Sequence, residues 1–108
     1  MRHSIRFVMA GLVILAAAFP AAAQENSGSL AGAELAQKWC SDCHLVGRGQ
    51  SHSNDAVPSF AAIAAAPATT AMSLHAFLLT PHGPMPDLKL SREQIDDVVA
   101  YILSLRQR

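Results

Sequence analysis

At 108 residues the chain has room for one small domain, and eight Lys/Arg balance eight Asp/Glu to leave no formal net charge at pH 7. Removal of residues 1–23, expected below, takes away Arg2 and Arg6 and leaves the acidic residues in excess, so a basic nucleic-acid-binding face is not supported. A domain this small buries limited surface and usually needs a staple or a cofactor, and two cysteines make no disulfide framework.

The chain opens as an export signal does. Arg2, His3 and Arg6 precede an uncharged apolar run from Phe7 to Phe19, which is followed by Pro20 and the small-residue stretch Ala21-Ala22-Ala23. Thirteen apolar residues fall short of the roughly 20 that a helix needs to cross a bilayer. Residues 1–23 are therefore expected to be a secretory signal peptide cleaved after Ala23, and residues 24–108 a single domain.

The polar lead from Gln24 to Ser29 reads as a solvated terminus. A first helix is predicted from Leu30 to about Cys40, capped by Ser29, with Gly32, Leu35, Ala36 and Trp39 at helical spacing. Glycine inside a helix costs about 1 kcal/mol relative to alanine. Gly32 is accordingly expected to mark a close crossing by another helix.

Next comes Cys40-Ser41-Asp42-Cys43-His44. Two thiols at this spacing can each bond one vinyl group of a single haem, and the histidine that follows is delivered to the iron from the same turn of chain. Other uses of a C-x-x-C pair fit less well. A redox dithiol belongs beside a βαβ pattern, whereas the flanks here are rich in Ala and Leu with helical period. Zinc needs a second ligand pair, and these are the only cysteines. One bridge across so short a loop would constrain almost nothing. The motif therefore predicts one haem c, covalently held through Cys40 and Cys43 and ligated by His44.

Leu45 to Asp55 reads as a loop from its Gly, Ser, Asn and Asp content. Within it His52 is expected in solvent, and Arg48 either pairs with a haem propionate or remains solvated. A short helix is predicted from about Pro58 through Ile63, ended by Pro67. A ligating imidazole usually donates its second N–H to a carbonyl or carboxylate, and the Pro58 carbonyl is the candidate acceptor for His44.

Thr69 or Thr70 should cap a helix over Met72 to Leu79 that carries Leu74, Phe77 and Leu78 on one side. His75 reads as a core or surface residue and Met72 as packing. The stretch from Thr80 to Leu88 cannot be helix, because Pro81, Gly83, Pro84 and Pro86 hold it extended and stiff. Met85, between two prolines, suits a sixth iron ligand, with His82 as its competitor.

In the last helix Ser91 and Gln94 form a capping box, and Leu90 and Ile95 occupy the staple positions. Ile95, Val98, Val99, Ile102 and Leu105 repeat at three and four to make one buried stripe, and Arg106 and Arg108 sit where the helix dipole favours cations. Tyr101 borders the stripe. It is expected either to pack over Gly32 or to leave its hydroxyl in water.

Taken together these residues resemble a class I c-type cytochrome, the small soluble bacterial kind. The likeness spans nearly all of residues 24–108 and rests on Gly32, the Cys40-to-His44 motif, Pro58, the Pro-Met-Pro loop at Met85 and a capped last helix bearing Tyr101. It implies an all-α fold with crossing N- and C-terminal helices and short helices wrapped around one covalent haem. It also implies His44 and Met85 as axial ligands, with Pro58 receiving the histidine's N–H. The implied function is one-electron transfer in the periplasm by a monomer that meets redox partner proteins transiently and is no enzyme. The alternatives are a haem sensor or peroxidase with an open sixth position, or a dedicated cytochrome subunit of a periplasmic dehydrogenase.

Overall fold

Alanine-rich sequence without proline forms the first helix, α1, over Ala22–Trp39. The computed structural model describes residues 22–50, 56–80 and 83–107, and among these no β-strand occurs. Three further helices follow: α2, Phe60–Ala65; α3, Ala71–Leu79; and α4, Arg92–Ser104, closed by a 3-10 turn over Leu105–Gln107. The expected all-α class is therefore observed.

The first helix corrects the sequence reading at its start. It begins at Ala22 and not at Leu30, so the supposed polar lead is helical and Ser29 is an interior residue. Gln, Glu and Ala favour helix, and Gly28 lies beside Asp97 and Ala100 of α4, so packing overrides the turn-forming composition. The signal run and the His52 and His82 positions lie outside the described residues.

Crossing of α1 and α4 sets the centre of the molecule. A Cβ built on Gly32 would lie 1.9 Å from the Asp97 carbonyl oxygen and 2.8 Å from the Tyr101 Cβ. The expected crossing is thus real, and its contact is backbone against backbone. Ile95, Val98, Val99 and Ile102 are buried as the repeat predicted, and Leu105 is half-buried. Tyr101 is buried too, and its hydroxyl donates to the Val46 carbonyl at 2.6 Å. Tyr101 thus meets Gly32 through its Cβ, while its ring runs on toward Phe60, 6.3 Å away, and its hydroxyl is bonded within the protein and not left in water.

Changing Tyr101 to Phe should therefore leave a buried carbonyl without its donor and destabilise the protein by about 1–2 kcal/mol in denaturant unfolding. An unchanged midpoint would mean that Val46 finds another donor.

Both predicted caps of the later helices form. Thr70 accepts from Ser73 N while Ser73 accepts from Thr70 N, and Ser91 and Gln94 exchange the same pair of bonds. Helix α2 starts two residues later than expected: Ser59 is the N-cap, and Pro58 precedes the helix, leaving its carbonyl outside the ladder. Arg106 departs from its expected dipole role. Its side chain reaches back to donate to the carbonyls of Ala64, at 2.6 Å, and of Thr69, tying the end of α2 and its following turn to the end of the chain. Helix C-termini leave such carbonyls without intrahelical partners, so an arginine from another element can supply the donor.

Two residues expected to pack, Phe77 and Met72, face outward instead, and so does Trp39. Trp39 is 49% exposed, with Lys38 Nζ 5.1 Å from its ring centroid; Phe77 is 52% exposed and Met72 82%. Only Leu74 of α3 is buried, with Leu78 half-buried beside it. A nine-residue helix touching α4 along one edge cannot cover a wider face. His75 is a half-buried surface residue, as one of its two expected placements had it, and its Nε2 lies 3.1 Å from Asp96 Oδ1 on α4.

Candidate functional site

The attachment segment is built directly onto the end of α1. Cys40 N donates to Ala36 O at 2.9 Å, extending the helical ladder by one bond, and Ser41 Oγ donates to Gln37 O at 2.5 Å. The chain then folds back on itself. Cys43 N and His44 N both donate to Cys40 O, at 3.2 and 2.8 Å, closing a tight turn that brings the two thiols and the imidazole onto one short stretch.

The two cysteines are free thiols in different settings. Cys40 is part of the core, and burial pushes its thiol up to about 11, because the thiolate would have to form where little solvent reaches it. Cys43 is exposed.

His44 is half-buried, its ring 5.4 Å from that of Phe60, which in turn lies 6.3 Å from Tyr101. Its Nδ1 is 2.7 Å from the Pro58 carbonyl oxygen, the acceptor expected from the sequence. With Nδ1–H donating there, the tautomer is set and Nε2 keeps its lone pair for a metal. Phe60 N donates to Leu45 O at 2.9 Å, which holds the Pro58 end of the loop against the segment that follows His44.

This donor set suits a haem c. Two unpaired thiols stand at the attachment spacing, and the adjacent imidazole already has its far nitrogen engaged. The chemistry such a set supports is thioether formation at both sulfurs and one imidazole bond to iron.

Met85 lies on the loop that leads into α4. It is half-buried and lines a small depression with Leu78, Thr80, Pro86, Asp87, Leu88, Lys89 and Leu90, none of which belongs to the attachment segment. Local geometry fixes the loop on both sides of it. Gly83 takes φ +42°, a left-handed conformation that suits a residue without a Cβ. Lys89 is also left-handed, at φ +52°, and Asp87 supports it by accepting from its N–H at 3.2 Å and from its Nζ at 2.7 Å. The Lys89 side chain holds the Asp87 carboxyl below its usual value, with the Lys89 N–H adding to the effect. This hold is therefore complete at neutral pH and weakens only as the pH falls through the depressed value.

Arg48 is exposed, on the rim of a depression that also includes Leu45, Gly47, Gln50 and Tyr101. Sequence reasoning passed over one residue of this loop. Gln50 hydrogen-bonds the backbone at Ser41 and His44 in the attachment segment and at Val46 just beyond it, and nothing in its Gly- and Ser-rich neighbourhood signals that role.

Comparison with known proteins gives two matches. A family model described as cytochrome c oxidase, cbb3-type, subunit III, matches residues 29–102. Cytochrome c-552 of Bradyrhizobium diazoefficiens is 45% identical over 91 residues, covering 80% of this chain and 88% of the relative. No solved structure matches.

Proposed function

Because the chain belongs to the c-type cytochromes, proteins that carry covalent haem c and transfer electrons, we propose that it is a periplasmic one-electron carrier with His44 and Met85 as axial ligands. The observation that carries this reading is the 2.7 Å contact from His44 Nδ1 to the Pro58 carbonyl, beside two free thiols. It leaves one nitrogen, already oriented, for iron.

Bound haem supplies a single-electron couple, ferric to ferrous, at potentials that His/Met ligation raises. The protein's residues do the rest. Cys40 and Cys43 fix the group to the end of α1. Pro58 holds the proton on Nδ1 and thereby the plane of the His44 ring, so that little reorganises between the two oxidation states. Met85 offers a soft sulfur from a loop stiffened by Pro84 and Pro86. A filled sixth position leaves no place for a substrate, and the chain acts as a carrier and not as an enzyme.

Export fits the same scheme. The basic start and apolar run of residues 1–19 act as a signal cleaved after Ala23, placing residues 24–108 in the periplasm as a monomer. No helix among the described residues is long and apolar enough to cross a membrane. Redox partner proteins then dock briefly through a small interface, in the range below about 1,200 Å² common to electron-transfer encounters.

Optical spectra of protein matured in the periplasm test the reading. Both oxidation states should be low-spin, carbon monoxide should bind the ferrous form weakly or not at all, and acid-acetone should leave the colour on the polypeptide. Avid carbon monoxide binding with a high-spin ferric spectrum would replace the carrier by a sensor or peroxidase with an open sixth site. Stable co-purification with an oxidoreductase would make it that enzyme's subunit.

A further inference from the structure

One side chain in the loop after His44 is bonded to the backbone on both sides of that residue. Gln50 Nε2 donates to Ser41 O at 2.9 Å and to His44 O at 2.7 Å, while its Oε1 accepts from Val46 N at 3.0 Å. We infer that Gln50 is a positioning residue for His44: its amide spans the attachment segment and fixes the main chain from which the imidazole hangs. This rests on the reading of His44 as an iron ligand.

Two restraints then act on one ring from the two ends of one loop. Pro58, through Nδ1, limits rotation of the imidazole about its own bonds, and Gln50 limits movement of the backbone that carries it. Neighbouring groups make the hold complete. Leu45 O accepts from Phe60 N at 2.9 Å and Val46 O accepts from the Tyr101 hydroxyl at 2.6 Å, so the carbonyls of three successive residues from His44 onward each have a named donor. A ligand held this way keeps its place when the iron changes charge, since precision at a metal depends on the shell that supports the ligand.

The residue type follows from the bonds. Two donors and an acceptor are needed at the end of one side chain, and only a carboxamide provides them. Ionised glutamate lacks the donors that Ser41 O and His44 O require. Asparagine has the chemistry but is one methylene shorter.

The test uses the haem-loaded chain and two variants, Gln50→Leu and Gln50→Glu. The second keeps an acceptor for Val46 N, which favours recovery of folded material. Two readouts are taken: the paramagnetically shifted ring resonances of His44 in the ferric state, and hydrogen exchange at the Val46 amide compared with Val99 in α4. Both variants should move the His44 resonances. In Gln50→Leu the Val46 amide should also exchange at least tenfold faster while Val99 keeps its wild-type rate.

Wild-type His44 resonances in both variants would overturn the inference, even with Val46 exchange accelerated, because Gln50 would then stiffen the loop alone. Equal acceleration at Val46 and Val99 would overturn it too, by showing a general loss of stability. Failure of the ligand reading is seen separately, in the unaltered protein: a ferric state with no paramagnetically shifted His44 ring signal removes that reading whatever the variants do.

Discussion

Replacing Gly32 by alanine should be among the most damaging single-methyl changes this protein can suffer. Elsewhere in a helix the same substitution stabilises by about 1 kcal/mol. Here the new Cβ would lie 1.9 Å from the Asp97 carbonyl oxygen and 2.5 Å from its carbon, and neither can rotate away as a side chain could. To admit the methyl group, α1 and α4 must separate, which loosens the buried residues between them and pulls on the Tyr101 bond to Val46. Overpacking commonly costs 1–3 kcal/mol, and an obstacle made of backbone belongs at or beyond the upper end, about 3 kcal/mol or more. For a domain of this size that amounts to a fall in Tm of at least about 12 °C. Gly28→Ala is the matched control on the same helix. Among the described residues its Cβ would meet the Asp97 carboxylate oxygen at 3.3 Å, the end of a side chain that can shift, and the Ala100 Cβ at 3.7 Å, an ordinary van der Waals contact, so stability should hold or rise. Equal effects at the two positions would mean that the crossing does not depend on Gly32.

That contrast also shows what could be read from the sequence. A glycine inside an otherwise good helix conflicts with local propensity, and such a conflict points to a long-range contact; Gly32 and Tyr101 were legible for that reason. The Ser91 and Gln94 cap was legible because its partners sit three residues apart. Cys40, Cys43 and His44 are local in the same sense, and the Pro58 acceptor followed from the chemistry of a ligating imidazole. Gln50 was not legible, since its three partners are defined only once the segment after α1 has turned back toward the loop. Nor was Arg106, whose partners lie 42 and 37 residues away. The exposure of Trp39 and Phe77 was missed because periodicity says which residues share a face but not whether that face is covered. In α1, glycine and serine suggested a terminus that contact with α4 overrides.

Changing Met85 to alanine should lower the reduction potential and open the sixth position. Thioether sulfur is a soft donor that favours ferrous over ferric iron, so its loss removes a bias toward the reduced state. Each tenfold of that bias is worth about 59 mV in a one-electron couple, and a hundredfold preference would give a fall of roughly 120 mV. The ferrous form should at the same time acquire carbon monoxide binding, read from its optical spectrum. Met85 is also half-buried, and its truncation removes packing whether or not sulfur meets iron. Leu88→Ala separates the two effects, since Leu88 lines the same depression and offers no donor: it should cost stability and leave potential and spectrum as they were. Met72→Ala should change neither, because that side chain lies 82% exposed on α3. If Met85→Ala instead behaves like Leu88→Ala, losing stability while the potential and the ferric spectrum stay put, the sulfur is structural and another donor takes the sixth position. His82, in the same loop, would then be the first residue to replace.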